Sequence, residues 1–201
     1  IAQDKGLVKL GDRVLPFFPD VPVESLSDNL RAMTIRDLLM MGSGNAKDTF
    51  EYLLSAPDGD FVKTFLNRPV EYAPGTHFVY NTGATYMLSA ILQRVTGRTL
   101  LSLAEEWLFP KLGIRGAKWD TCPRGTTMGG TGLHIRPLDM ARFGLLLLNE
   151  GRWNGIQLIP AEYVREAATR QIDNRNPDDP NQNPNWSAGY CYQMWRCSFN
   201  A

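Results

Sequence analysis

Met87, Leu88, Ile91, Leu92 and Val95 recur at steps of three and four, and Gly97 follows them. That spacing lines one face of a 3.6-residue helix with apolar side chains, and a glycine just past the last periodic residue suits a left-handed cap. A helix of this kind is held mainly by burying its apolar stripe against other elements. The segment ahead of it, Tyr72 to Thr82, opens on Pro74-Gly75 and delivers a single tyrosine, Tyr80, to the helix start. A turn on one side and a helix on the other would pin that side chain in place.

The rest of the chain is punctuated in the same way. Thr34 is a plausible N-cap for a short helix with Asp37 in its first turn, ending at Gly42-Ser43-Gly44. Asp48 to Asn67 reads as two short helices broken at Ser55-Ala56-Pro57-Asp58-Gly59. Further helices are expected over Leu100–Phe109, Pro137–Asn149 and Pro160–Arg170, two of them opened by proline. Gly6 to Asp12 alternates as a short extended arm, and Cys122 to Leu133 is a Gly/Thr-rich loop. Asp173 to Asn185 is a surface excursion, and the aromatic run Tyr190–Trp195 reads as a strand. The fold class expected is mostly α with minor β.

Charge and motifs exclude more than they identify. Lys+Arg and Asp+Glu balance at 21 each, which argues against nucleic acid or an anionic membrane as the main partner. The longest apolar run, Leu145–Leu148, is far too short to span a bilayer. The N-terminus shows neither a signal peptide pattern nor an initiator Met. Cys122, Cys191 and Cys197 form no CxxC and are read as small buried hydrophobes. His77 and His134 stand far apart and outside any cluster with ligand spacing, so no metal site is expected. His77 should pack or cap near its turn, and His134 should be structural. Trp107, Trp119, Trp153, Trp186 and Trp195 are read as core and loop anchors. No G-x-S-x-G, S-x-x-K, P-loop or G-x-G-x-x-G is present.

A family resemblance enters through segments in a fixed order. Gly6-Leu7-Val8-Lys9-Leu10-Gly11-Asp12-Arg13-Val14 resembles the "GxLxLDDxV" arm of the serine β-lactamase-like family, which includes class C β-lactamases, D-Ala-D-Ala carboxypeptidases and esterases. Thr34 to Leu39 with Ser43-Gly44 resembles "TIRxLLxHTSG", with Met41 where His is common. Pro74 to Tyr80 resembles "PGxxFxYSN", Pro110 to Ile114 resembles "PLGM", and Gly132-Leu133 through Phe143 resembles "GGLxSTxxDMARF".

The resemblance implies a fold and a chemistry. The chain would be the helical domain of the α+β β-lactamase/transpeptidase-like fold, residues 1–201 forming a partial domain in which about 186–201 begin the C-terminal sheet. Ile1 to Lys5 resembles the tail of the helix that carries S-x-x-K, so the nucleophilic serine and its lysine are expected upstream. The K-T-G or H-x-G motif is expected beyond Ala201, because Lys63-Thr64-Phe65 sits in a helical context. Tyr80 would be the catalytic tyrosine of Y-x-N, passing a proton between serine and leaving group. A phenol titrates near 10, so it needs a neighbouring ammonium or a relay role to work at neutral pH. Thr82 stands where the motif has Asn and offers one hydroxyl in place of an amide, which leans toward an ester or small amide over a β-lactam or peptide. Thr131 falls at a pocket-wall position, so Thr82 and Thr131 are the candidate substrate-binding residues. No metal or organic cofactor is implied.

Two other readings are weighed against this one. A non-catalytic relative used as a binding module would lack S-x-x-K upstream of Ile1. A helical interaction domain would lack the family's arrangement around Tyr80. A partial domain is also expected to expose an apolar face and to self-associate.

Overall fold

The computed structural model describes residues 1–175, 182–183 and 187–197. Most of the Asp173–Asn185 excursion, and Trp186, lie outside the described residues. Eight helices run α1 (Asp28–Ala32), α2 (Ile35–Leu39), α3 (Phe50–Leu54), α4 (Phe61–Leu66), α5 (Thr82–Thr96), α6 (Leu100–Trp107), α7 (Pro137–Leu148) and α8 (Ala161–Ala168). A 3-10 turn (Leu15–Phe17) and two short antiparallel pairs complete the described elements. β1 (Lys118–Trp119) lies beside β2 (Leu133–His134), with Lys118 opposite His134. β3 (Arg152–Trp153) lies beside β4 (Ile156–Gln157), with Arg152 opposite Gln157. The fold is helical with minor β, as the sequence predicts.

Helix α5 is the pillar. It touches α2, α3, α4 and α6 and buries Tyr86, Met87, Ala90 and Ile91 in the main core. Its last turn closes on Gly97, which takes a φ of 68° and donates its N–H to Gln93 O. A second core joins α7 and α8 through Phe109, Leu112, Ile114, Leu146, Ile159 and Val164.

Local chemistry explains the short helices. Thr34 and Asp37 form a reciprocal capping box on α2, and Ser27, Asp60 and Thr99 cap α1, α4 and α6 with their side-chain oxygens. The arm lies along the start of α2, with Ile35 N–H bonded to Asp12 O at 3.0 Å and Arg36 N–H to Leu10 O at 2.9 Å. At the first residues, Leu7 N–H reaches Ala2 O at 3.1 Å and Gly6 N–H reaches Gln3 O at 2.9 Å. These are the paired bonds that terminate a helix on a left-handed glycine, and Gly6 has a φ of 71°.

Three readings need correction. Tyr190–Trp195 is a tight turn and not a strand: Cys191 N–H bonds back to Met194 O at 2.9 Å and Gln193 takes a φ of 57°. Aromatic β-propensity counts only where a neighbouring strand accepts the ladder. Cys122 and Cys191 are buried as expected, but Cys197 is exposed. The β3–β4 hairpin was missed although Asn154-Gly155 signals it; both take positive φ, 47° and 80°, as a two-residue primed turn requires.

Helix α7 buries Asp139 and Leu146 and leaves Leu138, Met140, Leu145 and Leu148 exposed. Among the described residues, no helix is long and apolar enough to cross a membrane.

Candidate active site

The segment leading to Tyr80 is laid down by backbone pairing with the loop after α2. Tyr72 N–H bonds to Gly44 O at 2.9 Å, Gly75 N–H to Gly42 O at 2.8 Å, and Val79 N–H to Met41 O at 3.0 Å. The turn works only with glycine at Gly75. Its φ is +83°, and a Cβ there would sit 3.0 Å from Asp37 Oδ1.

From Tyr80 to Thr82, three consecutive residues go three ways. Asn81 points into the core and is fully buried. Its Oδ1 accepts from Thr49 N–H at 3.1 Å, from Thr49 Oγ1 at 2.8 Å and from Ala84 N–H at 3.3 Å. Its Nδ2 donates to Ser43 Oγ and Asn45 Oδ1, both at 3.2 Å. Asn81 is thus the α5 N-cap and the hub that ties α5 to the loop after α2. Ser43 is buried too and donates to Asn45 Oδ1 at 2.9 Å, so the serine of that loop is structural.

Thr82 begins the helix and faces Asp48. Its N–H bonds Asp48 Oδ1 at 2.9 Å and its hydroxyl donates to Asp48 Oδ2 at 3.0 Å. The hydroxyl proton is therefore committed, and the oxygen keeps acceptor capacity.

Tyr80 faces outward and is 48% exposed. Its ring stacks on Trp195 at 5.5 Å and 17° and meets Tyr190 edge-on at 6.2 Å and 85°. Phe78 closes the cluster, 5.2 Å from Tyr190 and 5.7 Å from Trp195. Burial pushes the Tyr190 phenol well above its ordinary range, with Tyr80 adding to the shift, so Tyr190 stays neutral and acts as packing. Tyr192 is likewise raised by burial and by its bond to Glu166. The exposed phenol of the cluster is that of Tyr80.

Thr131 reaches the same end of α5 through two glycines. A Cβ on Gly129 would sit 2.9 Å from Thr85 O, and one on Gly130 would sit 3.1 Å from Thr82 Cγ2. The loop lies directly on Thr82, Thr85 and Ser89, with Gly130, the residue before Thr131, against Thr82. Thr131 is exposed, and its carbonyl accepts from Trp119 Nε1 at 3.0 Å. Tyr80 and Thr82 thus flank the start of α5, and Thr131 follows the two glycines packed on that helix. Sequence reasoning missed Asp48, Trp195 and Gln193. Asp48 and Trp195 reach the site only through tertiary contact, and Gln193 lies inside a segment read as a strand.

The histidines sit apart from this region's chemistry. His77 stacks on Tyr72 at 4.0 Å and 23°, and exposed His134 faces Asp120 at 3.4 Å. Among the described residues no group of three or more His, Cys, Asp or Glu could hold a metal ion.

A helical layer around α5, with a tyrosine set between a Pro-Gly turn and the helix start, defines a β-lactamase-like hydrolase fold. The chain belongs to the beta-lactamase family, whose model matches residues 1–198. Solved structures agree on the fold. A protein from Bacillus anthracis assigned as a 6-aminohexanoate-dimer hydrolase superposes with a TM-score of 0.74 at 21% identity, over 96% of this chain and 54% of that one. An octameric penicillin-binding protein homologue from Pyrococcus abyssi gives 0.69 at 18%, over 96% and 49%. EstCE1, a hydrolase with promiscuous acyltransferase activity, gives 0.70 at 18%, over 96% and 64%. The chain therefore spans between about half and two thirds of the structures it resembles. No curated protein matches it in sequence.

Proposed function

We propose that these residues belong to a serine hydrolase that transfers an acyl group from an ester, amide or β-lactam through an acyl-serine, with Tyr80 exchanging the proton. The nucleophilic serine and its lysine are supplied by residues outside these 201, and the 201 alone are inactive. The observation that carries the reading is Tyr80 itself: a half-exposed phenol held by two aromatic rings at the start of the family's central helix. Proton transfer demands this combination of an open hydroxyl and a fixed ring. EstCE1, which shares the fold, is described as an acyltransferase as well as a hydrolase, in keeping with an acyl intermediate.

Thr82 and Thr131 line the substrate side. The Thr82 hydroxyl is spent on Asp48, so this position accepts a hydrogen bond and donates none. The position therefore lacks the planar amide, donor and acceptor together, with which the motif's Asn would grip a peptide or β-lactam, and the reading leans to esters and small amides on that absence. The exposed face of α7 supports self-association of the 201 residues, and one structural relative is octameric. A strictly monomeric particle by sizing and solution scattering would refute this part.

The test of the chemistry is Tyr80→Phe in the protein encoded by the full gene, assayed on p-nitrophenyl esters and a chromogenic β-lactam. The ring still stacks and only the hydroxyl goes. Turnover should fall by about two to four powers of ten. Near-normal turnover would make Tyr80 structural. Turnover by the 201 residues alone, abolished by the same substitution, would place the nucleophile within them.

A further inference from the structure

We infer that Trp195 is the positioning residue for Tyr80, and that Gln193 locks it in place; this rests on the reading of Tyr80 as the proton-transfer residue. An exposed phenol swings about two side-chain torsions, and a misplacement of about 1 Å in a reacting group costs on the order of a hundredfold in rate. Something has to hold the ring from its solvent side. Tyr190 holds one edge from within the core, where it is 2% exposed. The indole of Trp195 covers the ring face at 5.5 Å and 17°. Offset stacking of this kind restrains a ring without consuming its hydroxyl.

Trp195 is itself held. It meets Tyr190 edge-on at 5.2 Å and 89° and Phe78 at 5.7 Å and 71°. The turn that carries it is clamped by Gln193, whose backbone N–H donates to Leu39 O at 2.9 Å. The Gln193 amide donates to Leu38 O at 3.2 Å and Leu39 O at 3.1 Å, carbonyls in the last turn of α2, where Leu38 O also takes the Met41 N–H at 3.4 Å. Its Oε1 accepts from Thr85 Oγ1 at 2.7 Å. A non-glycine residue holds a φ of 57° only where its surroundings enforce it, and these four bonds do so. Thr85 belongs to α5, the helix that begins just after Tyr80. The connection closes on itself: Tyr80, α5, Thr85, Gln193, Trp195 and back to Tyr80.

The experiment has two readouts. In the full-gene protein, the Tyr80 ring resonances, assigned through Tyr80→Phe, should carry an upfield ring-current shift from Trp195. Trp195→Leu, apolar but smaller and without a ring, should abolish the shift; Gln193→Ala should reduce it; Trp195→Phe should keep part of it. In the full-gene protein acting on a p-nitrophenyl ester, Trp195→Leu should lower kcat at least tenfold with KM changed less than twofold, and Trp195→Phe should restore most of kcat. If Tyr80→Phe abolishes turnover while Trp195→Leu leaves kcat or the Tyr80 resonances unmoved, the positioning role is overturned and the role of Tyr80 stands. If Tyr80→Phe leaves turnover intact, the reading of Tyr80 fails whatever the resonances do.

Discussion

Asn81→Ala is the sharpest test of how the site is built. Asn81 makes five side-chain hydrogen bonds in a fully buried setting, and truncation does not harm its partners equally. Ala84 N–H keeps the Asn81 backbone carbonyl at 3.0 Å, and Ser43 and Asn45 keep each other at 2.9 Å. Thr49 loses the acceptor for both its N–H and its hydroxyl. Leaving a buried polar group unpaired costs about 1–3 kcal/mol, so two such groups set the scale at about 3–4 kcal/mol. For a chain of this size, that lowers Tm by roughly 10 °C. Urea and thermal unfolding followed by circular dichroism would measure it. The decisive comparison is the cycle with Thr49→Val, which removes the hydroxyl left stranded. Asn81→Ala should cost at least about 1 kcal/mol less in that background, the coupling expected of residues in one network. A loss below about 1 kcal/mol for the single variant, or strictly additive losses in the cycle, would refute the hub assignment.

Asp139 accepts from Arg136 at 2.8 and 3.1 Å and from Arg142 at 3.0 Å, and the Arg136 bonds foremost hold its carboxyl below the usual range. The unfolded chain therefore takes up a proton at higher pH than the folded protein; the stabilisation is complete above about pH 4 and drains as pH falls through the folded value. Asp139→Asn should flatten that acid limb in urea midpoints taken across it. Gly83→Ala should destabilise by about 1–3 kcal/mol despite better helix propensity, because the new Cβ would lie 2.0 Å from Thr49 Oγ1. Gly97→Ala meets no atom and should cost only about 1 kcal/mol for its left-handed φ of +68°; equal unfolding losses for the two glycines would contradict the packing argument. Thr34→Ala should cost about 1 kcal/mol through loss of the α2 capping box, read as a shift in denaturation midpoint.

Much of the helical layout was legible because its causes are local. Gly97, Thr34, and the break between α3 and α4 announce themselves through caps and turn residues within a few positions of the elements they bound. The place of Tyr80 between turn and helix was legible for the same reason. The company these residues keep was not. Asp48 meets Thr82 through α3 packing on α5, and Gln193 reaches Thr85 from the far end of the chain. Tyr190–Trp195 carries strand-like residues, yet its backbone groups scatter: Tyr190 pairs with Ile172, Cys191 with Met194, Tyr192 with Ala167 and Gln193 with Leu39. Propensity describes what a segment would do on a sheet, and here it meets only isolated bridges, Tyr190 to Ile172 and Tyr190 to Trp195. The Asn154-Gly155 hairpin was a different failure, since its signal was in plain view.

Gly129 lies on α5 with no room for an added carbon, and Gly130 beside it would take one only if Thr82 and Thr85 gave way by a few tenths of an ångström. A methyl group acquired at Gly129 would lever the start of the helix outward and carry the phenol with it. The small residues opposite, Thr82, Thr85 and Ser89, are bound by the same geometry from their own side. Loop and helix are therefore one hereditary unit: neither can drift toward bulk without the other giving ground. A change of shape at this surface would therefore have to alter loop and helix together.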